Sequence, residues 1–124
     1  MTFRFPVTTQ EPVATREVSL DAAIWRADSP VGSITFTYPG DVYIERCAAW
    51  VYTEGAEGFL GILLARGDSD YWSGFIEPLR PVAYPEGVSS GGFTLKSNHR
   101  LIFRYYRGDT GSRFAAVVAY RVIS

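Results

Sequence analysis

The sequence predicts an all-β chain: an antiparallel β-sandwich, jelly-roll-like, preceded by an extended N-terminal arm. Two observations carry this. Strand-like runs follow one another at 31–37, 42–52, 59–66, 71–77, 92–95, 101–107 and 113–123, rich in β-branched and aromatic residues. Turn chemistry separates them: Pro39-Gly40-Asp41, Glu54-Gly55, Gly67-Asp68, Pro85-Glu86-Gly87 and Gly108-Asp109-Thr110-Gly111. Many short strands with turns at near-regular spacing fit a sandwich or barrel.

Residues 1–30 differ from the remainder. Phe3, Phe5 and Val7 alternate briefly, and Pro6 and Pro12 then interrupt any period, as in an extended arm. Aromatic residues at its tip are costly to leave in water, so the arm must lie on its own domain or on a neighbour. The stretch 19–25 reads equally as a strand or as one helical turn capped by Ser19. Residues 31–124 form a single β-sandwich domain. Strict alternation in 42–52 places Val42, Ile44, Ala48, Trp50 and Tyr52 on one face, with Arg46 interrupting. The run 59–65 is apolar on both faces, and 113–123 sets Phe114, Ala116, Val118, Tyr120 and Val122 against a second face that is small and apolar in its middle. A sandwich strand usually has one dry and one wet face. Strands dry on both sides therefore predict a cover, either the arm or a second copy in a trimer or another symmetric oligomer. The hairpin formed by 101–107 and 113–123 is the best-defined unit, with a Gly-containing loop suited to left-handed residues.

At 124 residues and 13.8 kDa the chain is long enough to bury a core without disulfides, and its lone Cys47 excludes an internal one. A net charge of −1 and a pI near 5.8 give no attraction for nucleic acid or an anionic membrane. No apolar run approaches the roughly 18 residues of a spanning helix. The Met1 start lacks a basic segment followed by an apolar one, so no signal peptide is expected. Eleven of the twelve basic residues are Arg; this fits interfaces, whose ion pairs use the forked guanidinium, and equally a GC-rich codon bias.

Little in the chain suggests a reaction. His99 has no second His or Cys at metal-ligand spacing and sits in a polar turn. Cys47 lies mid-strand, where a buried thiol is the default. Asp68 and Asp70 alternate on a tight loop but lack the further oxygen ligands that calcium needs. Glu54 and Glu57 resemble a glycosidase pair only as any acidic loop does. Arg-Gly-Asp occurs at 66–68 and at 107–109, where hairpin turns need Gly and Asp anyway. Arg100, Arg104, Arg107, Arg113 and Arg121 could gather on the last hairpin, but without the basic balance of a nucleic-acid binder. No catalytic residue, metal ligand or cofactor is assigned, and the chain is expected to be non-enzymatic. Tyr71, Trp72 and Tyr84, with Phe75 and Trp25 nearby in type, could form a sugar-stacking platform, against core use of the same rings.

The order Thr37-Tyr38-Pro39-Gly40-Asp41-Val42-Tyr43-Ile44, then Ala48-Ala49-Trp50-Val51-Tyr52, Leu60-Gly61-Ile62-Leu63-Leu64, Leu101-Ile102-Phe103-Arg104-Tyr105 and Ala116-Val117-Val118-Ala119-Tyr120-Arg121-Val122 resembles single jelly-roll structural proteins of tailed-phage virions, the head decoration and fibre types. That resemblance implies a symmetric oligomer, arms reaching neighbours and no catalysis. It implies a virion location and partners such as a major capsid protein, with Phe3, Phe5, Val7, Trp25, Arg113 and Arg121 as contact residues. The alternative is a carbohydrate- or receptor-binding module on the same fold, using Tyr71, Trp72 and Tyr84.

Overall fold

The structure, a computed structural model, describes residues 13–18, 23–66, 73–106, 108 and 111–123. Ten strands cover them: β1 Val13–Val18, β2 Ala23–Pro30, β3 Gly32–Phe36, β4 Val42–Val51, β5 Glu57–Arg66, β6 Ser73–Ala83, β7 Gly87–Ser90, β8 Phe93–Leu95, β9 His99–Tyr106 and β10 Arg113–Val122. One sheet runs β1-β2-β10-β4-β7, with β8 also on β4; the other runs β3-β9-β5-β6. All pairings are antiparallel. The orders 2-10-4-7 and 3-9-5-6 make a two-sheet jelly roll, as the sequence led us to expect.

The core lies between the sheets and is strongly aromatic. Trp25 of β2 meets Phe36 at 5.3 Å, Phe36 meets Tyr120 at 5.2 Å, and Tyr120 meets Tyr38 at 5.5 Å between ring centres. At the other end Tyr105 and Phe114 pack edge to face at 5.3 Å. Tilted arrangements of this kind suit the ring quadrupoles and add to the area they bury.

Three details depart from simple alternation. The expected arm over 1–30 is corrected in part. Residues 23–30 are β2, paired with β10 along its length, and residues 13–18 are β1, paired with β2. Trp25 is wholly buried within this chain's own core, so it has no surface to offer a partner. In β4, Val42 and Ile44 face inward, Glu45 and Arg46 are both exposed, and Cys47, Ala49 and Val51 face inward again. The ladder slips here: Tyr120 pairs with Ile44 and Ala119 with Arg46, leaving Glu45 as the extra residue of a bulge. The bulge swaps the faces, so Ala48, Trp50 and Tyr52 are not on the core side with Val42 and Ile44. Finally, β6 runs on to Ala83 through Pro78 and Pro81. It is an edge strand with two register shifts against β5, where missing donors are tolerated.

The second apolar face of β5 is closed within the chain. Leu60 and Ile62 join the main core, while Leu63, Ala65 and Ile102 form a separate buried cluster on the outer side. One of the two strands that suggested a second copy is thus already dry in one chain, while Ala115, Val117 and Ala119 on the outer side of β10 are half-buried.

Gly87 fits only as glycine. A Cβ there would stand 2.7 Å from the Trp50 Cβ and 2.8 Å from its Cα, and would also meet the Ala49 carbonyl oxygen. Gly87→Ala should therefore push β7 off β4 and cost roughly 1–3 kcal/mol, measured by urea unfolding.

Candidate binding face

Because Leu60 and Ile62 point into the core, Phe59 and Gly61 point to the outer face of the four-stranded sheet. The ladders place Phe59 opposite Tyr106 of β9 on one side and opposite Pro81 of β6 on the other. The Phe59 and Tyr106 rings stack, with centres 6.2 Å apart and planes 28° from parallel. Tyr106 is 40% exposed and Phe59 is half-buried, so the pair presents ring surface to solvent. Its neighbour Tyr105 turns the opposite way. Gly58 makes room for that ring, since a Cβ there would collide with it, and the Tyr105 hydroxyl donates to the Glu57 carbonyl at 3.2 Å. Adjacent tyrosines at a strand end thus serve opposite faces, one fixed in the core and one free outside.

Beside the ring pair runs a cleft of about 330 Å³ lined by Glu57, Phe59, Pro81, Val82, Ala83 and Glu86. Both glutamates are exposed. The turn that carries Glu86 is tethered. The Glu86 amide donates to the Ala83 carbonyl at 2.6 Å, the Glu86 carboxylate accepts from the Ala83 amide at 2.7 Å, and the Tyr84 amide donates to the Ala56 carbonyl at 2.9 Å. Farther along the same face, Gly61 pairs with Arg104, and Leu63 pairs with Ile102 and with Phe75, which is 48% exposed. Phe59 and Leu63 are four residues apart, which spans about 13 Å along the strand.

Chemically, the flat apolar rings can stack on the C–H face of a sugar ring. The carboxylates of Glu57 and Glu86 accept hydrogen bonds from hydroxyls, and the Arg104 guanidinium donates to oxygens. None of this needs a proton shuttle or a nucleophile.

Of the residues singled out in the sequence, Tyr84 lies on the turn between Ala83 and Glu86, two residues that line the cleft, and is 44% exposed. Tyr71, Trp72, Phe3, Phe5 and Val7 lie outside the described residues, as do Asp68, Asp70, Arg107 and Asp109. Trp25 is a core residue, and its expected contact role is corrected above. Arg121 pairs with Glu45 at 3.0 Å and sits over the Tyr43 ring at 5.2 Å. His99 closes a tight turn: its amide donates to the Lys96 carbonyl at 2.9 Å, and its Nδ1 accepts from the Lys96 amide at 3.3 Å. Burial pushes the Cys47 thiol up to about 12, so the thiolate is disfavoured. Glu54 is exposed in its loop. Among the described residues no three His, Cys, Asp or Glu side chains gather as a metal site, and no helix is long and apolar enough to cross a membrane.

Arg113 is engaged within the chain. Its Nε donates to the Tyr52 hydroxyl at 2.8 Å and to Asp28 Oδ2 at 3.2 Å, its Nη2 donates to Asp28 Oδ2 at 3.0 Å, and the Tyr52 hydroxyl donates to the same oxygen at 2.5 Å. The Tyr52 hydroxyl, and then Arg113, hold the Asp28 carboxyl below its usual range of about 3.8 against an opposing effect of burial. A carboxyl with a depressed folded pKa stabilises the fold fully above its unfolded pKa and loses that contribution as pH falls through the lower folded value. Acid titration should therefore erode stability below about pH 4. Asp28→Asn should remove that part of the pH dependence at a cost near 1 kcal/mol or less at neutral pH, since the pair is solvent-accessible. Thermal melts of both proteins from neutral pH to pH 3 measure this.

Phe59, Tyr106 and Pro81 were not singled out by the sequence. The available signal was the Tyr105-Tyr106 doublet at a strand end, where period-2 geometry forces one ring outward.

No family model matches the sequence, and no curated protein matches it. Among solved structures, the chain is similar to the carbohydrate-binding module CBM32 of AlyQ in complex with 4,5-unsaturated mannuronic acid. The identity is 11%, the match covers 76% of this chain and 75% of that one, and the TM-score is 0.46. It is similar also to a CBM4 structure, at 13% identity over 90% of both chains with a TM-score of 0.43. A third likeness is to the capsular polysaccharide assembling protein CapF from Staphylococcus aureus, at 9% identity and a TM-score of 0.40. There this chain is covered over 99% and spans 30% of the other.

Proposed function

We propose that the chain is a non-catalytic carbohydrate-binding β-sandwich that holds a glycan on the outer face of the β3-β9-β5-β6 sheet. The observation that carries this reading is the solvent-facing Phe59–Tyr106 stack beside a cleft bearing Glu57 and Glu86. Tyr106 keeps 40% of its surface in solvent beside the half-buried Phe59, and contiguous apolar surface left at a rim of polar groups is what a binding site presents. The carboxylates at the rim give a polyhydroxylated ligand directional acceptors that a purely apolar partner would leave unpaired. In this reading Glu57 and Glu86 orient the sugar, and Tyr106 and Phe59 supply the contact area.

Affinity electrophoresis through gels containing soluble polysaccharides, both neutral and uronate-bearing, tests it. The expected result is retardation of the native chain by at least one glycan, and unretarded migration of Tyr106→Ala. Equal migration of the two proteins in every gel would contradict the reading.

A further inference from the structure

A second opening lies at the far end of the β5–β6 pair. Leu64 of β5 stands opposite Gly74 of β6, and the point where a Gly74 Cβ would sit has no atom within 4 Å. Beside them opens a cavity of about 500 Å³, lined among the described residues by Leu64, Arg66, Gly74, Phe75 and Ile76. Leu64 and Ile76 also pack against the main core, so the floor of the cavity is the core itself. The volume falls within the range of small-molecule sites, roughly 300–1,000 Å³.

Its chemistry is one-sided. Arg66 is the one charged group among the described lining residues, and it is exposed. In the ladder Arg66 pairs with His99. Burial, then Arg66 and Lys96, hold the imidazole below its usual pKa and so favour its neutral form, against Asp41. Asp41 is committed elsewhere, accepting from Lys96 Nζ at 3.4 Å and from the Ser97 amide at 3.0 Å. An anion entering here meets a guanidinium and a dry wall.

We infer that this cavity binds a small amphipathic anion, with the apolar body against Leu64, Phe75 and Ile76 and a carboxylate on the Arg66 guanidinium. A guanidinium matches a carboxylate bidentately, and such charge-assisted bonds are stronger than neutral ones. Phe75 shares the face of the Phe59–Tyr106 pair, but the site is distant from that pair: Phe59 and Arg66 are seven residues apart on β5, about 23 Å.

The test uses the full chain with anilinonaphthalene sulfonate as a fluorescent probe, displaced by decanoate or by decanol. Dye fluorescence is expected to rise and saturate, with decanoate displacing it. Gly74→Phe fills the cavity and is expected to abolish both. Arg66→Gln, a surface change that leaves the fold intact, is expected to weaken decanoate about tenfold while decanol competes as before. Tyr106→Ala is expected to change neither. No saturable fluorescence would overturn the inference. So would unchanged decanoate displacement in Arg66→Gln, equal weakening of decanol, or loss of the signal in Tyr106→Ala. If Gly74→Phe alters the thermal melt, Arg66→Gln alone decides.

Discussion

Replacing Trp25 with alanine is expected to lower the unfolding free energy by about 3–5 kcal/mol, among the largest effects of any single change in the described core. Trp25 is the largest wholly buried side chain and anchors the ring series through Phe36 and Tyr120 that ties β2 and β10 to β3. Deleting the indole removes its transfer free energy and leaves a cavity that neighbouring rings can only partly fill. The loss is a large share of the stability of a domain this size, typically about 5–15 kcal/mol. Urea unfolding followed by far-UV circular dichroism measures it. A change near zero would mean that Trp25 is not in the core and would return it to the surface role that its position near the N-terminus suggested.

The second large effect is on binding. Tyr106→Ala should reduce affinity for the bound glycan by about 30-fold or more, the loss expected when an aromatic anchor worth about 2 kcal/mol is removed from the centre of a contact. Its cost in stability should stay within about 1 kcal/mol, because the ring is largely outside the core. The contrast with Tyr105→Ala is instructive. That neighbour is wholly buried against Phe114 and donates to the Glu57 carbonyl, so its loss should unfold the chain rather than merely unload it. Two adjacent tyrosines thus separate function from stability, and isothermal titration alongside a melt distinguishes them.

The fold was largely legible because the strand-like runs 31–37, 59–66, 101–107 and 113–123, set off by turn residues, coincide with β3, β5, β9 and β10 to within one or two residues. Where pattern reading failed, a local device intervened. The Glu45 bulge reverses the faces of β4 midway, which no alternation count detects. Pro78 and Pro81 read as strand stops but sit on an edge strand that tolerates them. Residues 23–30 lacked a confident period, yet pairing with β10 makes them β2.

The candidate site was less legible. Phe59 looked like one more apolar residue in a strand dry on both faces, and only the ladder brings it to Tyr106 and Pro81. Glu57 was noted beside Glu54, but Glu86, 29 residues away, lines the cleft with it. Tyr84 was nominated as part of a platform; it is exposed on the turn between Ala83 and Glu86. The jelly-roll order fits many functions equally. The expectation of virion partners came from the resemblance; that of a symmetric oligomer leaned on apolar strand faces, and the one on β5 is already buried in a single chain.

The most direct test of the sugar-binding reading is a heteronuclear NMR titration of the native chain with a soluble oligosaccharide from the polysaccharide that retards it. Saturable shifts are predicted to concentrate at Glu57, Phe59, Ala83, Glu86 and Tyr106. Saturable shifts confined to the opposite sheet, around β10 and β2, would contradict it.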